Sequence, residues 1–139
     1  MIGRSFFMFL AESEFIKSKA IKWGPKLGVD QVIAGETLQE AMEVIGKLNS
    51  KGLSCTVDYL GEFVFNKEEA IESANQSIRT LEAIANTGVD CNLSVKLTSL
   101  GLDVDRNLCR DNMVRILEKA KETNNFVRID MEDYSHLDA

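Results

Sequence analysis

Three short apolar runs each finish on charged residues that a buried strand does not need. Leu53 to Tyr59 carries Asp58 near its end, with Glu62 just beyond. Cys91 to Leu97 carries Lys96, followed by Thr98, and the run from Phe126 to Tyr134 carries Asp130 and then Glu132. In a parallel α/β fold, ligands gather where strands finish, so charges at those ends point to a binding or catalytic site. Side chains alternate along a strand, which puts Lys96 on one face with Ser94 and Thr98, and Asp130 on one face with Glu132. An inward Lys on one strand beside an inward Asp on another could hold a small zwitterion or a carboxylate. The ammonium attracts the anion in a partly desolvated pocket, and the nearby carboxylate keeps the ammonium charged. The same two residues could equally be a structural ion pair, because buried charges are kept only when paired or used.

The elements that position these residues follow from periodicity. Leu38, Ala41, Met42, Ile45 and Leu48 keep helical spacing within Glu36 to Ser50, and Lys51-Gly52 closes that helix. Asn66 with Glu69 predicts a capped start for a second helix, whose stripe is Ile71, Ala74, Ile78, Leu81 and Ala85 and whose end is Gly88. A third helix is predicted near Asn107 to Thr123, with Met113, Ile116, Leu117 and Ala120 on one face. Strand starts near 53, 91 and 126 lie roughly 35 to 40 residues apart, the length of a βα unit, so a parallel sheet is expected. The single proline, Pro25, marks a break among N-terminal helices. The expected organisation is an N-terminal helical region over 1–52 and an α/β region over 53–139.

Composition narrows the function. With 139 residues, 45% of them hydrophobic, the chain can bury one ordinary core. A net charge of −6 with interspersed cations argues against nucleic acid as a partner. Cys55, Cys91 and Cys109 have no CxxC spacing and are expected to be reduced, in a cytoplasmic protein. His136 with Glu132 and Asp133 is not expected to bind a metal, since no helix fixes an i, i+4 pair there. The run Phe6 to Ala11 is too short to span a membrane. Phe6, Phe7, Phe9, Phe15 and Trp23 interleaved with Arg4, Lys17, Lys19 and Lys22 fit either a helix packed on its own domain, the preferred reading, or an interfacial helix.

Taken together, Thr56-Val57-Asp58-Tyr59-Leu60-Gly61-Glu62, Ser94-Val95-Lys96-Leu97-Thr98-Ser99-Leu100-Gly101-Leu102 and Val127-Arg128-Ile129-Asp130-Met131-Glu132 resemble the first three strands of the proline dehydrogenase family, in its short bacterial form. The resemblance implies N-terminal helices followed by the first three βα units of a (β/α)8, TIM-type barrel, incomplete in this chain. It implies FAD as cofactor, L-proline oxidised to 1-pyrroline-5-carboxylate, and electrons passed to membrane quinone, with peripheral contact at the inner membrane face. By motif position, Lys96 looks like the lysine that contacts the proline carboxylate. Glu62 looks like the glutamate that helps cover the substrate, Asp130 like the catalytic aspartate beside substrate and flavin, and Met131 like a flavin contact. The resemblance also implies that later strands supply most of the flavin site, so the chain alone is expected to be inactive. The alternative is a non-catalytic half-barrel that associates with itself or with a complementing C-terminal chain.

Overall fold

The computed structural model describes residues 33–61, 64–132 and 134–136. The chain divides into two compact units, Met1–Glu36 and Thr37–Ala139, and nearly all described residues belong to the second. The expected N-terminal helices, including Phe6 to Trp23, lie outside the described residues.

Within the second unit, helices and strands alternate. Helix α1 spans Leu38–Asn49, strand β1 Cys55–Asp58, helix α2 Lys67–Thr87, strand β2 Cys91–Lys96, helix α3 Arg106–Glu122 and strand β3 Val127–Asp130, with a 3-10 turn at Tyr134–His136. The strands form one parallel sheet in the order β1-β2-β3, with Cys55 opposite Cys91 and Leu93 opposite Val127. No described helix is long and apolar enough to cross a membrane.

Local chemistry sets the helix ends. Thr37 and Glu40 make a reciprocal capping box at the start of α1. Asn66 accepts from the Glu69 amide at the start of α2, and Gly88 ends that helix at φ +67. Asp105 caps α3 through the amides of Asn107 and Leu108, and its other oxygen pairs with Lys67 of α2 at 2.7 Å.

Period two divides the sheet into an apolar and a polar face. Leu93 and Val95 point to the helices and build the core with Ala74 and Leu81 of α2 and Cys109, Ile116 and Ala120 of α3. Leu93 is wholly buried, and its truncation to alanine would cost roughly 2–5 kcal/mol, so this face holds the sheet together. Thr56, Asp58, Asn92, Ser94, Lys96, Arg128 and Asp130 stand on the other face.

Three expectations need correction. The buried face of α2 is Ala70, Ser73, Ala74, Ser77, Thr80, Leu81 and Ile84, whereas Ile71 and Ala85 are exposed. Small residues allow close packing there, and the Ser77 and Thr80 hydroxyls donate to carbonyls four residues earlier, which removes the cost of burying them. On α3, Leu117 is half-exposed, and its predicted place in the core is taken by Cys109 and Asn112. The third apolar run is strand only to Asp130, because its ladder partner β2 ends at Lys96.

Candidate functional site

The polar face is richest at the carboxyl ends of the strands. Asp58, Ser94 and Arg128 form one row across the sheet, and Lys96 and Asp130 form the next. Each residue is delivered by its place in a strand, so the spacing between them is that of the parallel ladder, about 4.8 Å from strand to strand.

These side chains pair with alternating sign. Lys96 Nζ lies 3.3 Å from Asp58 Oδ2. Arg128 donates to both oxygens of Asp130, through Nε at 2.6 Å and Nη2 at 3.0 Å. Lys96 stands directly opposite Asp130 in the ladder, and Asp58 stands in the row of Arg128. The four charges therefore form a ring with no net charge. The Arg128 guanidinium first, and then the Ser94 hydroxyl, hold the Asp130 carboxyl below the usual carboxylate range. The hydrogen bonds and charge of Asp130 in turn raise Arg128, with Asp58 adding to the effect.

Lys96, Asp130, Met131 and Glu132 line a cleft of about 410 Å³ beside this ring. Met131 is 60% exposed there, and Thr98 donates to the Glu132 carboxylate, which ties the chain beyond β3 to the chain beyond β2. Ser99 donates to the Lys96 carbonyl at 2.8 Å, and the buried Asn112 amide donates to the carbonyls of Ala70 and Leu100. These bonds fix the turn that follows Lys96. Another cleft, of about 470 Å³, opens at the amino ends of the strands. Its polar groups are engaged with one another, Ser54 with Asp90 and Asn125 with the Cys91 carbonyl, so it offers a ligand little.

The structure thus brings Lys96, Asp130 and Met131 to one cleft, while Glu62 lies outside the described residues. His136, away from that cleft, places Nε2 3.0 Å from Asp103 Oδ1. Sequence reasoning missed Arg128 and Ser94. A signal for Arg128 was present, since a residue two before Asp130 on a strand must share its face. Ser94 was read only as a neighbour of Lys96, and nothing local marks its burial.

The fold and the charges define a parallel α/β scaffold with a cluster of paired charged side chains at the carboxyl ends of its strands. The chain belongs to the proline dehydrogenase family, whose family model, described as "Proline dehydrogenase", matches residues 41–139. It is 43% identical over 133 residues to proline dehydrogenase 2 of Bacillus subtilis (strain 168), covering 96% of this chain and 44% of that protein. It is 38% identical over 135 residues to proline dehydrogenase 1 of Bacillus subtilis subsp. natto, covering 97% of this chain and 45% of that one. Against the proline dehydrogenase of Deinococcus radiodurans the identity is 34% over 112 residues, covering 78% and 36%. The chain therefore spans less than half the length of the curated relatives it matches.

Proposed function

We propose that the chain contributes the carboxylate-binding lysine and the site aspartate of an FAD-dependent proline dehydrogenase, within a wall of a (β/α)8 barrel. The carrying observation is the neutral ring of Asp58, Lys96, Asp130 and Arg128 at the carboxyl ends of consecutive parallel strands. Free proline is a zwitterion, and a ring with two cations and two anions can meet both of its charges without a net electrostatic cost. Lys96 takes the substrate carboxylate. Asp130, held ionised by Arg128, would place negative charge beside the substrate's ring nitrogen.

The residues at the cleft suit a flavin edge. Met131 presents an exposed, polarisable side chain beside the charges, and Glu62 belongs to the same motif set. Bound FAD would supply the hydride acceptor for the carbon next to the proline nitrogen. The chain's own residues orient the substrate and set the charge around it, which is how a positioned site lowers the barrier. Passage of electrons to quinone, cytoplasmic placement and peripheral membrane contact belong to the same reading.

The test is anaerobic addition of L-proline to the chain joined to the C-terminal part of the Bacillus subtilis relative and supplied with FAD, followed by its visible absorption. Flavin bleaching that is lost in Lys96→Met supports the assignment, and bleaching that survives Lys96→Met overturns the role of Lys96. A second reading, association through a sheet edge, is favoured by one observation. Among the described residues β3 pairs only with β2, and Phe126 and Ile129 on it or beside it are exposed. Sedimentation discriminates, since a discrete oligomer supports association and a monomer at all concentrations removes self-association.

A further inference from the structure

Ser94 lies within the charged ring and has no hydrogen bond of ordinary geometry among the described residues. The residue is 2% exposed, and its Oγ is sealed from solvent. Buried hydroxyls are nearly always paired, and each exception calls for a reason. The other hydroxyls on or next to this end of the sheet are engaged: Thr56 donates to Asn92, Thr98 to Glu132 and Ser99 to the Lys96 carbonyl. The Ser94 hydroxyl sits between Asp58 and Arg128, one step below Lys96 and Asp130, near enough to lower the Asp130 carboxyl but without a bond of ordinary geometry to it.

Asp130 has the matching capacity. An ionised carboxylate offers about four lone-pair sites, and the two hydrogen bonds from Arg128 occupy two of them. Arg128 is a long side chain, about half exposed, and can let go. Ser94 is short, buried and fixed to the central strand, so its hydroxyl cannot leave.

We propose that Ser94 is a positioning residue for Asp130, the fixed donor that keeps its carboxylate aimed across the ladder at Lys96 whenever the guanidinium of Arg128 swings away. The role of Ser94 in turnover rests on the reading of Lys96 and Asp130 as a substrate site, but the contact itself does not. The geometry supports it through the register, the burial and the position of the hydroxyl. The lowering of Asp130 by the Ser94 hydroxyl agrees with it.

The test follows the Asp130 carboxyl carbon by NMR as pH is lowered, in an Arg128→Met background that removes the competing donor. Asp58 on β1, Lys96 on β2 and Glu132 beyond β3 face the same region and stay unchanged across the series. Ser94→Ala should raise the Asp130 midpoint by about half a pH unit or more, the size of one lost hydrogen bond. Ser94→Thr, which restores a hydroxyl on a strand-compatible residue, should return it. A midpoint that is the same with serine and alanine, or a rise that threonine does not reverse, overturns the proposal. L-proline binding by the unmutated chain, joined to the C-terminal part of the Bacillus subtilis relative, is measured separately. Its absence would sink the substrate reading and leave the Ser94 result standing.

Discussion

Arg128 grips both carboxylate oxygens of Asp130 from two positions earlier on the same strand, at 2.6 and 3.0 Å. Asp130 is therefore paired on its own strand, and Lys96 opposite it also pairs with Asp58. The sheet presents a ring of two ion pairs, each only partly withdrawn from solvent.

Lys96→Met should weaken L-proline binding by at least about tenfold, the usual size of a lost charge-assisted hydrogen bond. Prolinamide, which lacks the carboxylate, should bind the variant and the unmutated chain alike. Titration calorimetry with both ligands checks this, and equal L-proline affinities would remove Lys96 from the site.

Acid should destabilise the protein through Asp105 and Asp130. Lys67 and then the Leu108 and Asn107 amides hold Asp105 low, as Arg128 and then Ser94 do for Asp130. A carboxyl held below its unfolded value adds stability that is present above about pH 4 and lost as pH falls through the folded value. Urea midpoints should be level from pH 7 to 5 and fall below about pH 4. Asp105→Asn should flatten that fall while lowering stability at pH 7, and an unchanged acid slope would exclude Asp105 as a source.

Thiol reactivity should order the cysteines. Burial, and then the neighbouring Cys55, push the Cys91 thiol up to about 11, and burial pushes Cys109 up as well. All three are free, and Cys55 is the most accessible. With Ellman's reagent at pH 8, Cys55 should react first, and Cys91 and Cys109 only as fast as the protein opens. The stability that Cys91 provides by staying protonated is present below its unfolded value of about 9 and is lost as pH rises toward 11. Peptide mass mapping of the first labelled site decides the order.

Gly101→Ala should destabilise more than Gly52→Ala. Both glycines have positive φ, +98 and +80. A Cβ at Gly101 would also sit 3.0 Å from the Ala70 Cβ, while one at Gly52 meets nothing within 4 Å. The strained backbone costs on the order of 1–3 kcal/mol at either position, and the clash adds to it only at 101. Urea unfolding of the two variants checks the ranking, and equal losses would mean the turn after Lys96 shifts freely.

Local rules made the frame legible. Asn66 with Glu69 and the glycine at 88 are written in residues a few positions apart, and the structure follows them. Such signals fail where neighbours decide. Ile71 and Leu117 satisfy a helical stripe as well as the residues beside them, yet the sheet and the facing helix select Ser73, Ser77 and Asn112 for burial, because small or self-satisfied side chains let the layers close.

For the site, the sequence by itself determined which charges stand at strand ends and which share a face, since period two is a property of one strand. Only the tertiary structure decided the partners: Asp58 for Lys96, Arg128 for Asp130, and a buried Ser94 between them. The reason is register. A slide of one strand by one residue would turn its charges to the helices, so which charges meet is fixed by how the apolar faces of β1, β2 and β3 lock onto α2 and α3.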